Sequence, residues 1–154
     1  ARGDEVVPGQ ERLELATEKE IDPRQQDRRH AGSVTGFPAR IGLVTGDAEL
    51  QRGLGLMRRG EFFDAHEELE VAWRAAAAEE RDFYQGLVHV AVAWYQAGRG
   101  NRVGCERQLE KAMRRLGPFA PEHRGVPVAM TLGRVAEATR VAASGSLELP
   151  PPVV

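Results

Sequence analysis

The chain has 154 residues and a formal net charge of −2, which fits one ordinary domain with a buried core and argues against a general nucleic-acid-binding protein. Its single cysteine, Cys105, cannot form an intramolecular disulfide, so a reducing compartment is expected. No apolar run approaches the roughly 20 residues of a membrane span, and the N-terminus lacks a secretory signal, so we expect a soluble cytoplasmic protein with no nucleic-acid or membrane partner.

The first 45 residues differ in composition from the rest of the chain. They are rich in charge, proline and glycine and poor in large apolar side chains, so they can bury little surface on their own. We therefore predict a mostly irregular N-terminal arm over residues 1–45, a helical domain over 46–143, and a C-terminal tail over 144–154 that contains three consecutive prolines.

Apolar residues recur with a helical period through the predicted domain, and glycine, proline and capping residues separate the helical segments. The expected helices run from an Asp47 N-cap to Gly60, over 61–76, over 79–97, from an Asn101 N-cap to Gly117, and over 128–143. The third of these is apolar on most sides, which predicts a position in the middle of a bundle.

An internal repeat relates the first two helices to the next two. A shift of about 40 residues aligns Arg59-Gly60 with Arg99-Gly100, and each glycine is followed five positions later by a small residue, Ala65 or Cys105. A small residue there lets the two helices of a hairpin approach closely. The predicted fold class is therefore all-α: a compact bundle of about five helices, built from two related helical hairpins plus a C-terminal helix, with the irregular N-terminal arm.

Polar side chains on the second and third predicted helices form the candidate site. His66 and Glu70 are four residues apart and share a helix face with Trp73. Gln85 and His89 lie on one polar stripe of the otherwise apolar third helix, where polar groups need hydrogen-bond partners. Antiparallel association of the two helices could bring these groups together. The candidate ligand-binding residues are His66, Glu67, Glu70, Trp73, Gln85, His89 and Trp94.

Three interpretations of this cluster stay open. It can be a buried polar network that fixes the helix register, as buried polar groups usually are. It can form the base of a ligand pocket lined by Trp73, Trp94 and Tyr95. It can be a metal or acid–base site, although metal sites in helical bundles usually show paired Glu-x-x-His motifs and only one helix here is rich in carboxylates. No resident metal or cofactor is assigned, and no catalytic residue stands out.

Three motifs stand out along the helical domain. They are the segment Arg59-Gly60-Glu61-Phe62-Phe63-Asp64-Ala65-His66-Glu67-Glu68-Leu69-Glu70 followed by Trp73, the segment Arg81-Asp82-Phe83-Tyr84-Gln85-Gly86-Leu87, and Arg99-Gly100-Asn101. Together they resemble a small prokaryotic family catalogued as domain of unknown function number 309. The resemblance covers about residues 48–125.

This resemblance implies a compact all-helical fold and the importance of five residues, but no activity. The five are His66, Glu67, Glu70, Trp73 and Gln85. Members of the family commonly have Gln at the position of His89 and His at the position of Gln96. That difference weighs against a metal site built on two histidines.

The resulting prediction is an uncharacterised intracellular helical protein that serves as a binding or interaction module. It would engage a small molecule or a protein, including a second copy of itself, through the groove between the hairpins or through the N-terminal arm. The alternative is a metal-assisted hydrolase with a site between the second and third helices. In that alternative His66, Glu70 and His89 bind the metal and Glu67 acts as the base.

Overall fold

Five α-helices make up most of the chain that the computed structural model describes, residues 42–154. They are α1 (Gly42–Arg58), α2 (Phe62–Ala75), α3 (Arg81–Gly98), α4 (Arg102–Leu116) and α5 (Val128–Ala143), with short 3₁₀ turns at Ala78–Glu80 and Gly117–Phe119. The all-α prediction is confirmed, while nearly all of the predicted N-terminal arm lies outside the described residues. Within 42–154, no helix has both the length and the apolar composition that crossing a membrane requires.

The helix boundaries follow the capping signals of the sequence with one exception. Asn101 caps α4 as predicted, because its side-chain Oδ1 accepts a hydrogen bond from the Gly104 amide at 2.9 Å. Asp47 does not cap α1, because the helix begins at Gly42 and Asp47 lies inside it. Its carboxylate instead accepts a hydrogen bond from Arg124 at 2.7 Å. A long-range ion pair therefore uses the residue that the local sequence assigned to a helix end.

The two hairpin turns have the same backbone structure. Gly60 and Gly100 both adopt a left-handed conformation, with φ of 79° and 74°, which is strained for a residue with a Cβ atom. In each turn the residue after the glycine donates a backbone hydrogen bond to the carbonyl five residues earlier, at 3.0 Å in the first turn and 2.9 Å in the second. This is the Schellman arrangement that ends many helices. The Arg-Gly repeat therefore marks equivalent helix ends.

Consecutive helices make the main contacts: α1 with α2, α2 with α3, α3 with α4, and α4 with α5. The small residues that follow the turn glycines, Ala65 and Cys105, are fully buried, as are Leu69 and Leu109 four positions further on. α3 lies in the middle as predicted, since 13 of its 18 residues are buried. The described chain therefore consists of two related hairpins plus a C-terminal helix.

The last residues of the chain lie against the bundle rather than extending from it. The indole N–H of Trp94 donates to the Pro150 carbonyl at 3.0 Å, and the Thr131 hydroxyl donates to the Val153 carbonyl at 2.6 Å. The Arg58 guanidinium donates two hydrogen bonds, of 2.9 and 3.1 Å, to the main-chain oxygen of Val154. The predicted tail thus connects α1, α3 and α5, which its proline-rich composition did not indicate.

Candidate functional site

His66 is buried on α2, with only 6 % of its surface exposed. Its Nδ1–H donates to the Phe63 main-chain carbonyl, and its ring meets the Phe63 ring edge-on at a centroid distance of 4.9 Å. Both contacts lie within one helical turn: the hydrogen bond fixes the imidazole on the main chain, and the ring contact places it beside the phenylalanine side chain. His66 therefore packs against the Phe63 side chain, which lies nearer the surface of α2.

The two predicted carboxylates of α2 make no hydrogen bond to either candidate histidine within residues 42–154. Glu70 accepts one from Arg74, one turn further along the same helix, at 2.8 Å. Glu67 is exposed. An ion pair between neighbouring helical turns stabilises a helix weakly and carries no chemistry of its own.

His89 lies in the interior of the bundle, with 1 % of its surface exposed. Its Nδ1–H donates to Oε1 of Gln108 on α4 at 2.7 Å. Burial lowers the pKa of His89 to about 4, although the hydrogen bond to Gln108 opposes the shift. At neutral pH the imidazole is therefore uncharged, and it joins α3 to α4.

The other three predicted residues have separate surroundings. The side chains of Trp73 and Gln85 are partly buried and make no hydrogen bond within residues 42–154. Trp94 is 5 % exposed, and the Pro150 carbonyl occupies its indole N–H. An indole whose only donor is already bonded offers its ring, and no hydrogen bond, to a ligand.

The predicted polar groups of α2 and α3 thus belong to separate contacts. Within residues 42–154 no hydrogen bond joins His66 or Glu70 to Gln85 or His89. In the same part of the chain no three His, Cys, Asp or Glu side chains are placed to hold a metal ion. Helical spacing puts residues on one face but does not determine which neighbouring helix that face meets. The sequence alone could therefore not assign these partners.

A surface groove of about 490 Å³ lies beside both hairpin turns. Its walls come from the first turn of α2 and the last turn of α3, and we call it the turn groove. It is lined by Gly60, Glu61, Phe62, Phe63, Asp64, Trp94, Tyr95, Gly98 and Arg99. Of the predicted site residues, Trp94 lines the groove directly, and His66 supports its wall through Phe63.

Aromatic rings form the apolar part of the turn groove. The Phe63 ring lies 5.5 Å from the Tyr95 ring, and the Arg99 guanidinium carbon lies 5.8 Å from the centre of the Tyr95 ring. A guanidinium over a ring face at this distance is held by cation–π attraction. We call His66, Phe63, Tyr95 and Arg99 the aromatic row. It extends from the buried interior of α2 to the exposed rim at the end of α3.

Charged side chains surround these rings. Glu61 forms an ion pair with Arg59 at 2.7 Å. Asp64 and Arg99 are exposed and form no ion pair with residues 42–154. The groove therefore offers one carboxylate and one guanidinium whose hydrogen-bonding capacity a bound partner can use.

Sequence reasoning placed Tyr95 in a pocket wall but did not single out Phe63 or Arg99. A signal for Phe63 was present, because Phe62 falls on the apolar stripe of α2 and the next residue does not. A second large ring off that stripe needs an explanation other than the core. For Arg99 the sequence indicated only a helix end.

Residues 50–108 match the family model described as Domain of unknown function (DUF309). No curated protein and no solved structure matches the chain. The matched segment extends from α1 into α4 and includes every residue that lines the turn groove. The predicted resemblance is thereby confirmed, and the chain is a helical protein that resembles the DUF309 family over most of both hairpins.

Proposed function

We propose that the protein is an interaction module that binds a short segment of a partner protein in the turn groove. The observation that carries this proposal is the aromatic row, in which Phe63 and Tyr95 stay only partly buried although large rings contribute most when they are covered. His66 packs against Phe63 and Arg99 lies over Tyr95, and these contacts favour a preorganised apolar surface. Aromatic side chains and arginine dominate the binding energy of many protein interfaces.

The shape of the groove favours a polypeptide over a free small molecule. Five of its nine lining residues are exposed, so it is shallow and open. Small-molecule sites bury about 70–90 % of their ligand, and a shallow groove cannot enclose a free ligand to that extent. A side chain that belongs to a larger partner needs only one face covered here, because the surrounding surfaces continue the contact.

The charges at the rim match a peptide backbone. The Arg99 guanidinium can donate to a main-chain carbonyl, and the Asp64 carboxylate can accept from a main-chain N–H. The expected partner segment carries a large aliphatic or aromatic side chain that lies against Phe63 and Tyr95. Its neighbouring backbone groups would then meet the two charged side chains.

A peptide array tests this assignment on the full chain. Short synthetic peptides, each with one large apolar side chain among small and polar residues, are screened, and the best binders are measured by fluorescence anisotropy. We expect micromolar binders whose affinity falls by at least about tenfold in Tyr95→Ala and in Arg99→Ala. Arg107→Ala is the matched control, because Arg107 is also exposed but lies on α4 outside the groove.

Circular dichroism and thermal unfolding establish that each variant is folded before its affinity is compared. Two results would contradict the proposal. In one, no peptide of the array binds the full chain at micromolar concentration. In the other, peptides bind but Arg107→Ala weakens them as much as the groove variants do.

The N-terminal arm enters the same proposal as an additional contact with the partner. Its composition, rich in charge and containing prolines, suits direct contact with a partner protein. The affinities of the selected peptides for the full chain and for a chain without residues 1–41 separate the two contributions. Equal affinities would remove the arm from the proposal and leave the groove.

A further inference from the structure

A pocket of about 190 Å³ lies at the end of α2 that is opposite the turn groove. Part of its lining consists of small residues, Gly46 of α1 and the alanines at 72, 75, 76 and 77, and we call it the alanine pocket. A cavity of about 150 Å³ holds a molecule the size of benzene. The alanine pocket therefore has room for a small organic ligand.

The internal repeat explains why this space is open. A shift of about 40 residues pairs Gly46 and Ala76 of the first hairpin with Gly86 and Leu116 of the second. In the second hairpin a Cβ atom at Gly86 would lie 2.6 Å from Leu116 Cγ, so the leucine fills the space. In the first hairpin a Cβ atom at Gly46 would meet nothing nearer than the Tyr84 hydroxyl, at 3.8 Å. The pocket lies where the first hairpin has alanine instead of the leucine that fills the second.

Ion pairs and hydrogen bonds fix the polar part of the lining. Arg124, in the loop before α5, donates from Nε to Glu80 at 2.6 Å and from Nη1 to Asp47 at 2.7 Å. His123 donates to Glu80 at 2.9 Å. Burial alone would raise the pKa of Glu80, but the hydrogen bonds from His123 and Arg124 hold it below its usual value. Both carboxylates thus have partners, while Nη2 of Arg124 makes no hydrogen bond within residues 42–154.

Tyr84 supplies a second donor to the pocket. Its side chain lines the pocket and only 3 % of its surface is exposed, yet its hydroxyl makes no hydrogen bond within residues 42–154. The hydroxyl oxygen itself is not fully covered, so it is accessible from the pocket and can donate to a ligand there. Burial raises the pKa of Tyr84, so its O–H stays a donor at neutral pH. The Arg124 guanidinium lies 5.9 Å from the centre of the Tyr84 ring, which places the two donors in one small region.

We propose that the alanine pocket binds a small neutral carbonyl compound of the class of short branched amides. Its carbonyl oxygen would accept from the Tyr84 hydroxyl and from Nη2 of Arg124, and its apolar body would lie against the alanine methyl groups. The lining carries two carboxylates, Asp47 and Glu80, against one guanidinium, so it repels an anion. An ammonium group would leave both donors without an acceptor. This site is separate from the turn groove and does not depend on peptide binding there.

Isobutyramide, isobutyrate and isobutylamine test the proposal, because they share one carbon skeleton and differ in the polar group. Each is titrated into the isotope-labelled full chain, and backbone amide chemical shifts are followed. We expect isobutyramide alone to shift the resonances of Gly46 and Ala75–Ala77 saturably, with a dissociation constant of about a millimolar. In Tyr84→Phe the affinity should fall about three- to tenfold. Ala76→Leu places in the first hairpin the leucine that the second has at Leu116, so binding should be lost.

Tyr95→Phe is the matched control, because it removes a tyrosine hydroxyl at the turn groove instead and should leave binding unchanged. The amide spectra also report whether each variant is folded. If Ala76→Leu does not fold, Tyr84→Phe alone decides the outcome. The proposal is overturned if isobutyramide causes no saturable shifts at these residues. It is also overturned if isobutyrate or isobutylamine binds as well, or if Tyr84→Phe binds as tightly as the unaltered chain.

Discussion

The two helical hairpins share a backbone plan but join their helices by different chemistry. In the first, Arg52 bonds to Glu49 at 2.8 Å and to Glu68 at 3.0 Å on the protein surface. In the second, His89 and Gln108 occupy the positions about 40 residues after those two glutamates and form a buried hydrogen bond. α3 is covered by α2 as well as by α4, so its polar groups need partners inside the protein. Burial, more than position in the repeat, decides what a polar pair contributes.

The closest helix contacts also fall at different places in the two hairpins. A Cβ atom at Gly53 would lie 2.7 Å from Leu69 Cγ, and one at Gly86 would lie 2.6 Å from Leu116 Cγ. The first contact lies midway along its hairpin, and the second lies at the end away from the turn. This difference leaves the alanine pocket open in the first hairpin and the equivalent space filled in the second.

The largest effect on the free energy of unfolding is expected from emptying, in the second hairpin, the space that is already empty in the first. Leu116→Ala removes a fully buried side chain and should lower the free energy of unfolding by about 3 kcal/mol. Gly86→Ala alone should cost about 1–3 kcal/mol, because its methyl group overlaps Leu116. In the Leu116→Ala background the same glycine change should cost much less, since the methyl group enters vacated space. Urea denaturation of the four proteins measures this coupling, and additive costs would contradict it.

Acid should destabilise the second hairpin through His89. Burial lowers the pKa of His89 to about 4 in the folded protein, whereas the unfolded chain titrates near about 6.5, so protons bind the unfolded state first as the pH falls. The contribution to stability is therefore complete above about pH 6.5, declines down to about pH 4, and amounts to about 3 kcal/mol. His89→Gln keeps a donor for Gln108 and should flatten this part of the curve.

Urea denaturation at a series of pH values measures the difference between the unaltered chain and His89→Gln. The first hairpin has a glutamate at the equivalent position, so this buried histidine is specific to the second hairpin. An unchanged slope in His89→Gln would assign the acid sensitivity to other groups.

Removing one polar partner from each hairpin should lower the free energy of unfolding by less than the changes above. The two hairpins should lose different amounts. Gln108→Leu leaves the His89 Nδ1–H without its acceptor in the interior and should cost about 2 kcal/mol. Arg52→Ala removes the ion pairs of an exposed arginine and should cost clearly less, because ion pairs at the surface contribute little. Thermal unfolding of the two variants makes the comparison. Equal losses would show that burial does not decide the contribution of these pairs.

The smallest effect is expected from the turns, where the hairpins are alike. Gly60→Ala and Gly100→Ala should each cost about 1 kcal/mol, because a left-handed backbone is unfavourable for alanine. A Cβ atom at either position would meet nothing within 4 Å, so no clash adds to this cost. Scanning calorimetry should find the two losses equal within error. A markedly larger loss at one turn would mean that the two helix ends are not equivalent.

The regular part of the fold could be predicted because its causes are local. The Asn101 cap and the glycine-terminated helix ends depend on groups within a few residues of one another. α5 has the predicted limits, 128–143. The repeat also identified Ala65 and Cys105 as small buried residues at the helix contacts.

The candidate site could be predicted only in part, because its contacts join distant parts of the chain. Trp94 was expected in a pocket wall and lines the turn groove. The acceptors for His89 and Trp94 are 19 and 56 residues away, at Gln108 and Pro150. No helical period relates residues at such separations, so the pattern indicated that His89 needed a partner without indicating which.

The sequence by itself determined the helices, the two equivalent turns and the buried faces, because these follow from backbone preference and from the period of the side chains. Only the tertiary structure decided that Arg124 bonds to Asp47 and Glu80, 77 and 44 residues away. It also decided that Phe63 and Tyr95 meet in one groove. Such contacts depend on how the helices lie against one another, and that arrangement forms only when their apolar faces are buried together.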